Sequence, residues 1–297
     1  MQGGLSFPVA PGVWSSAVML HRPRLVLALS LVTMGHSAWS QPRPGAPTPD
    51  ASIPDDVSVP DDAAIPDDAH LTSRWAPVTA AQRAAAGVAR VVLPAATWHL
   101  GSRWVSVGAF AIDRTEVTVG AWRRCLATGS CPTLSDPLSA MTRDGMPVVN
   151  VTHAQAAMYC AFAGARLPTD AEWSLAARGL EGRRSPWGTR PASCALARTS
   201  GCGDGATLAG ATPGGASPEG ALDLLGNVAE WVHDRAGAPP AARGVERDPT
   251  GPAEGATRWV RGGSFRTPDG DASGLWRQAV DAREARVDVG FRCVRGL

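Results

Sequence analysis

Six cysteines stand at positions 125, 131, 160, 194, 202 and 293, and three histidines, His99, His153 and His233, share the same part of the chain. Thiolates and imidazoles at short spacing can hold zinc, but no Cys-x2-Cys pair occurs. The cysteine count is even and two pairs are close in sequence, which is the arithmetic of a disulfide-stapled, exported domain. Two histidines and a carboxylate would suit non-haem iron. These histidines are widely spaced, however, and His153, at the start of a helical stretch, is expected in an exposed or capping position. The chain has no lysine, so all 28 basic residues are arginine. Schiff-base chemistry and the phosphate loop ending in Gly-Lys-Ser/Thr need that amine and are excluded. Ser264 is followed by Phe265-Arg266, outside the Gly-x-Ser-x-Gly pattern of a hydrolase nucleophile.

The elements that must position these groups are short. FAIDRTEVTV (110–119) alternates as a strand does, and AWRRCLATG then reads as a helix closing at Gly129. VTHAQAAMYCAFAG predicts a helix with Thr152 as N-cap, an apolar face of Ala156, Tyr159, Cys160 and Ala163, and Gly164 past its end. In GARLPTDAEWSLAARG, Thr169 and Glu172 form a capping box and Gly179 stops the helix. Asp113, Glu116 and Glu172 sit in such motifs and are read as capping and ion-pairing groups. Later residues are rich in turns, and the segment RGGSFRTPDGDASGLW (261–276) runs from a strand through a Gly-Gly turn into a loop, where function tends to sit. Of eight tryptophans in the domain, Trp173 and Trp231 are expected in the core; Trp122, Trp259 and Trp276 are candidates for a recognition cleft. The pattern is α+β with a large irregular fraction.

Composition divides the chain into three parts. Residues 1–40 hold no acidic group. From Met19, taken as the true start, they read as an export leader: Arg22 and Arg24, an apolar run from Leu25 to Val32, and a small-x-small site at Ala38-Trp39-Ser40 before Gln41. That apolar run is too short to span a bilayer. Residues 41–90 include IPDDVS, VPDDAA and IPDDAH, three copies of one six-residue unit, and are expected to form an extended, solvated, disordered linker. Residues 91–297 carry the packed domain. A net charge of +1 with no basic run gives no footprint for nucleic acid.

GARLPTDAEW (164–173) resembles a signature segment of the formylglycine-generating enzyme (sulfatase-modifying factor) family. DRTEVT (113–118), PVVNVTHAQAAMYC (147–160), PWG (186–188), LDLLGNVAEW (222–231), RGGSF (261–265) and GFRC (290–293) are similar to that family's other motifs, in order. The resemblance implies a single α+β domain related to C-type lectins, with little regular secondary structure. It also implies a Cys160–Cys293 bridge, which leaves Cys125–Cys131 and Cys194–Cys202 as local pairs.

The resemblance further implies an oxidase that converts a substrate cysteine using oxygen and copper(I) on two thiolates. Counted from Ser264, the matching positions are Thr267 and Ala272, and a hydroxyl and a methyl cannot hold a soft metal. Asp223, Gly226, Val228 and Glu230 match positions that ligate calcium in the family. A second calcium position, near 197–206, is eroded: Arg198 falls where an Asn ligand would lie, with Asp204 left. The reading is therefore an exported, periplasmic or extracellular binding module for a protein or peptide, without the copper centre. The alternative is a metal-dependent oxidoreductase, using copper or non-haem iron on a protein cysteine or another substrate.

Overall fold

Runs of β-branched and aromatic residues broken by Gly and Pro build strands of three to seven residues. The computed structural model describes residues 89–134, 143–238 and 244–297, so the expected leader and Pro-Asp linker lie outside the described residues. Strands β1 (Arg90–Leu93) and β4 (Phe110–Asp113) pair antiparallel, and β10 (Val294–Gly296) flanks β4 on its other side, with Val294 opposite Ile112. Strands β2 (Ala96–Leu100) and β3 (Arg103–Val107) form a hairpin that β6 (Val245–Arg247) joins in parallel. The third sheet has the order β8 (Arg277–Asp281), β7 (Thr257–Arg261), β5 (Ala229–Arg235), β9 (Val289–Phe291).

The strand expected over 110–119 ends at Asp113. There the carboxylate accepts from Arg90 Nε at 2.8 Å and from the Cys293 N–H at 3.0 Å. Thr118 is instead the N-cap of α1 (Val119–Ala127), its hydroxyl accepting from Ala121 N–H. The alternation in TEVTV therefore belongs to a turn and a helix start. Helices α2 (His153–Phe162) and α3 (Asp170–Arg178) both begin with complete capping boxes, Thr152 with Gln155 and Thr169 with Glu172. Each box satisfies two otherwise orphaned amides. Gly179, at φ +60°, ends α3.

Two apolar clusters form the interior. In one, Trp122 stacks on Tyr159 with ring centroids 5.8 Å apart, and Phe291 meets both edge-on. Trp122 is fully buried, so it belongs to the core and lines no cleft. The other cluster packs Trp173 and α3 over Phe110, Ile112 and Leu224. Trp231 is buried as expected. Three disulfides close the domain: Cys160–Cys293 links α2 to the segment between β9 and β10, and Cys125–Cys131 and Cys194–Cys202 are the local bridges. Among the described residues, no helix is long and apolar enough to cross a membrane.

Candidate functional site

The segment after β7 folds onto itself. At Gly263 φ is +72°, and a Cβ would lie 2.7 Å from Thr267 Oγ1, so the turn requires glycine. The Thr267 hydroxyl accepts the Ser264 N–H at 2.9 Å, while the Ser264 carbonyl accepts the Thr267 N–H at 2.9 Å. The Ser264 hydroxyl donates to Asp288 Oδ2 at 3.1 Å and accepts from the Arg266 N–H at 3.2 Å. The Ala272 N–H reaches back to the Pro268 carbonyl. Ser264, Thr267 and Ala272 are all buried. What the segment turns outward is Arg266, Asp269, Asp271 and Leu275, the last 60% exposed.

Arg261 closes the base of this segment, a role the sequence reading missed. Its Nε donates to the Trp276 carbonyl at 3.1 Å and its Nη2 to the Gly274 carbonyl at 2.7 Å, so strand end and loop end are tied together. The guanidinium pairs with Asp170 and lies 4.6 Å from the centre of the Trp173 ring. The available signal was an arginine heading the Gly-Gly turn directly after a strand. Asp234, in β5, accepts the Asp170 N–H at 2.8 Å. Burial, reinforced by the charge of Asp170, pushes the Asp234 carboxyl up to about 7. Of the two remaining cleft candidates, Trp259 is partly exposed with the Arg277 guanidinium 4.4 Å from its ring centre, and Trp276 is half-buried against the first apolar cluster.

The donor set does not fit copper(I). Thr267 and Ala272 offer a committed hydroxyl and a methyl, and all six cysteines are bonded to one another. Cu(I) is held by soft sulfur ligands, which this segment lacks.

The calcium expectation meets the same kind of obstacle. Asp223, Gly226 and Val228 lie on the turn entering β5 and Glu230 is the second residue of that strand, all buried, but both carboxylates are committed inward. Glu230 accepts from Arg292 Nη2 at 2.6 Å, Arg292 Nε at 2.8 Å and Trp173 Nε1 at 2.7 Å. Asp223 accepts from Thr212 Oγ1 at 2.6 Å and from the Gly210 N–H. Calcium needs six to eight oxygens with free lone pairs, and these residues as arranged do not fit it. A neighbour, Glu116, is more than the capping or ion-pairing group its motif suggests. Its Oε1 accepts from Asn227 Nδ2 at 2.8 Å, and its buried Oε2 has no hydrogen-bond partner. Burial first, then the charges of Asp223 and Glu230, hold its carboxyl well above the usual range. At the second calcium position, the side chain of Arg198 donates to the carbonyls of Gly205 and Cys202, and a group with donors alone cannot ligate a metal.

The histidines do not assemble either. His153 is buried, correcting the exposed or capping expectation: its Nε2 donates to the Val232 carbonyl at 3.1 Å and its ring meets Trp231 edge-on. Burial lowers its pKa to about 3, with nearby Arg258 adding to the effect, so it is neutral. His99 packs on Trp104, and among the described residues no group of three His, Cys, Asp or Glu side chains is placed to hold a metal.

Short strands around capped helices, three disulfides and a long irregular fraction make an α+β domain. The chain belongs to the sulfatase-modifying factor enzyme 1-like domain family, whose model matches residues 80–297. It is 35% identical over 169 residues to the formylglycine-generating enzyme of Streptomyces coelicolor, covering 51% of this chain and 53% of that one. It is 34% identical over 162 residues to the hercynine oxygenase of Mycolicibacterium thermoresistibile, covering 43% and 36%. The alignments thus span about half or less of those relatives' length. Among solved structures, Treponema denticola variable protein 1 superposes with a TM-score of 0.58 at 21% identity, over 70% of this chain and 95% of that one. PvdO from Pseudomonas aeruginosa gives 0.55 at 24%, over 70% and 94%. Both share the fold.

Proposed function

We propose that this chain is an exported binding module on the formylglycine-generating fold, acting outside the cytoplasm on a protein or peptide and not as a copper oxidase. The observation that carries the reading is the state of the sulfur: every cysteine is consumed in a disulfide, and the two positions matching the copper thiolates are Thr267 and Ala272. At those positions the Thr267 hydroxyl and the Ala272 amide close the segment on itself, while the outward face carries arginine, aspartate and leucine. An exposed arginine and an exposed leucine offer a polypeptide partner a forked donor and an apolar contact.

The test joins metal and turnover. Cu(I) titrated into the purified, disulfide-intact protein is expected to show no tight stoichiometric binding. A Cys-x-Pro-x-Arg peptide incubated under oxygen with copper is expected to stay unmodified. Conversion of that cysteine, or one sulfur-bound copper per chain, would return the oxidase reading. For the export part, mass spectrometry of the mature protein should find Gln41 at the amino terminus, and a retained Met1 would refute it.

A further inference from the structure

The loop from Ala197 to Gly205 closes around a positive charge supplied by its own side chain. Arg198 Nε donates to the Gly205 carbonyl at 2.8 Å, and Nη1 donates to the Cys202 carbonyl. Gly203 lies against the same guanidinium: its φ is +116°, and a Cβ there would sit 2.9 Å from Nη2. A φ of that size is one that residues with a Cβ rarely adopt. The Cys194–Cys202 bridge also ties this backbone down at Cys202. Carbonyl oxygens turned toward one point repel each other unless a cation or a set of donors lies between them. A planar guanidinium supplies both, and its fork can serve two carbonyls at once.

This loop then reaches the candidate segment. The Ser200 N–H donates to the Thr267 carbonyl at 3.0 Å, and Thr199 Oγ1 donates to Asp269 Oδ1 at 2.6 Å. On the other side, the Arg198 carbonyl accepts the Asn227 N–H at 2.7 Å, and the Asn227 carbonyl in turn accepts the Phe265 N–H at 2.8 Å. Two routes therefore run from Arg198 to the 264–272 segment, one through 199–200 and one through Asn227.

We propose that the Arg198 guanidinium is the resident cation of the 197–205 loop, standing where a metal ion would otherwise be needed, and that Arg198 is a positioning residue for the 264–272 segment. The assignment is independent of what that segment binds. It makes the order of the loop a property of the chain alone, insensitive to divalent ions.

Hydrogen exchange on the full-length, disulfide-intact protein tests it. Arg198→Ala removes two charge-assisted hydrogen bonds and should speed exchange of the Ser200, Cys202 and Thr267 amides by about tenfold or more, leaving α2 unchanged. Millimolar guanidinium chloride should restore protection in that variant, the reverse of what a denaturant does to a merely loosened fold. In the wild type, calcium or a chelator should leave 199–205 unchanged. Should the alanine variant fail to fold, Arg198→Lys carries the test: an ammonium lacks the planar fork that spans both carbonyls, so its protection should fall below wild type. Unchanged exchange in either variant, absence of rescue by guanidinium, or a calcium-dependent gain in the wild-type loop would overturn the proposal.

Discussion

Arg292 and Glu230 form a bidentate pair in which neither side chain reaches solvent, at 2.6 and 2.8 Å. The remaining guanidinium donors go to the carbonyls of Leu222, Asp113 and Arg114, so a single arginine of the GFRC motif joins the turn before β5 to the end of β4. Paired and fully hydrogen-bonded, the two charges tolerate burial; either one alone would not.

That pairing sets the first prediction. Glu230→Gln leaves the Arg292 charge buried without its counter-ion and should destabilise the domain by about 3–5 kcal/mol. Denaturation with and without calcium chloride is the measurement. Calcium should neither raise the melting temperature of the wild type nor rescue the variant; a rise in the wild type that Glu230→Gln abolishes would make this carboxylate a metal ligand after all.

The disulfides should differ in worth according to the loops they close. Cys160 and Cys293 are 133 residues apart, whereas Cys125 and Cys131 are 6 apart. By the chain-entropy estimate, replacing the long-range pair with serines costs about 4 to 5 kcal/mol and replacing the short one about half that. Equilibrium unfolding of the two double variants gives the comparison, and an equal loss would show that local strain or packing sets their value instead.

Asp234 provides a pH dependence of definite sign. Its folded carboxyl titrates at about 7, against 3.8 for an unperturbed aspartate. The folded state therefore holds a proton that the unfolded chain has released, and this contribution is complete below about 4 and disappears as pH rises through 7. Asp234→Asn keeps an acceptor for the Asp170 N–H and removes the titration. Its stability relative to wild type should climb between pH 4 and 7 by up to about 1.4 kcal/mol per pH unit, then level off. Asp113, pushed by burial up to about 6, is present in both proteins and cancels in the difference. A difference independent of pH would contradict the assignment.

Much of this architecture could be read from residues whose signals are local. Thr169 and Glu172 announce α3, and Gly179 its end, because caps act within one turn of chain. Thr152 marks the start of α2 for the same reason, with Gln155 completing its box. The expected strand does not continue to Val119, because a polar-apolar alternation of five residues is equally compatible with a turn followed by a cap. The long disulfide came from a family resemblance, since nothing local links Cys160 to Cys293. His153 and Trp122 were misplaced outward, and in both cases burial depends on neighbours distant in sequence: Val232 and Trp231 for the one, Tyr159 and Phe291 for the other. The commitments of Glu230 and Asp223 were hidden likewise, because Arg292, Thr212 and Gly210 reach them only once the chain has folded.

The placement of β4 between β1 and β10 has a temporal side. Delivered from its amino end, the chain presents residues 90–113 long before 294–296, so one edge of β4 stays open meanwhile. The arginine that reaches Glu230 and the cysteine that reaches Cys160 arrive in the same late stretch. Completion of the first sheet, pairing of a buried acid and the longest crosslink therefore all wait on residues 292–296, and deleting those residues should leave an ordered-looking chain that never locks.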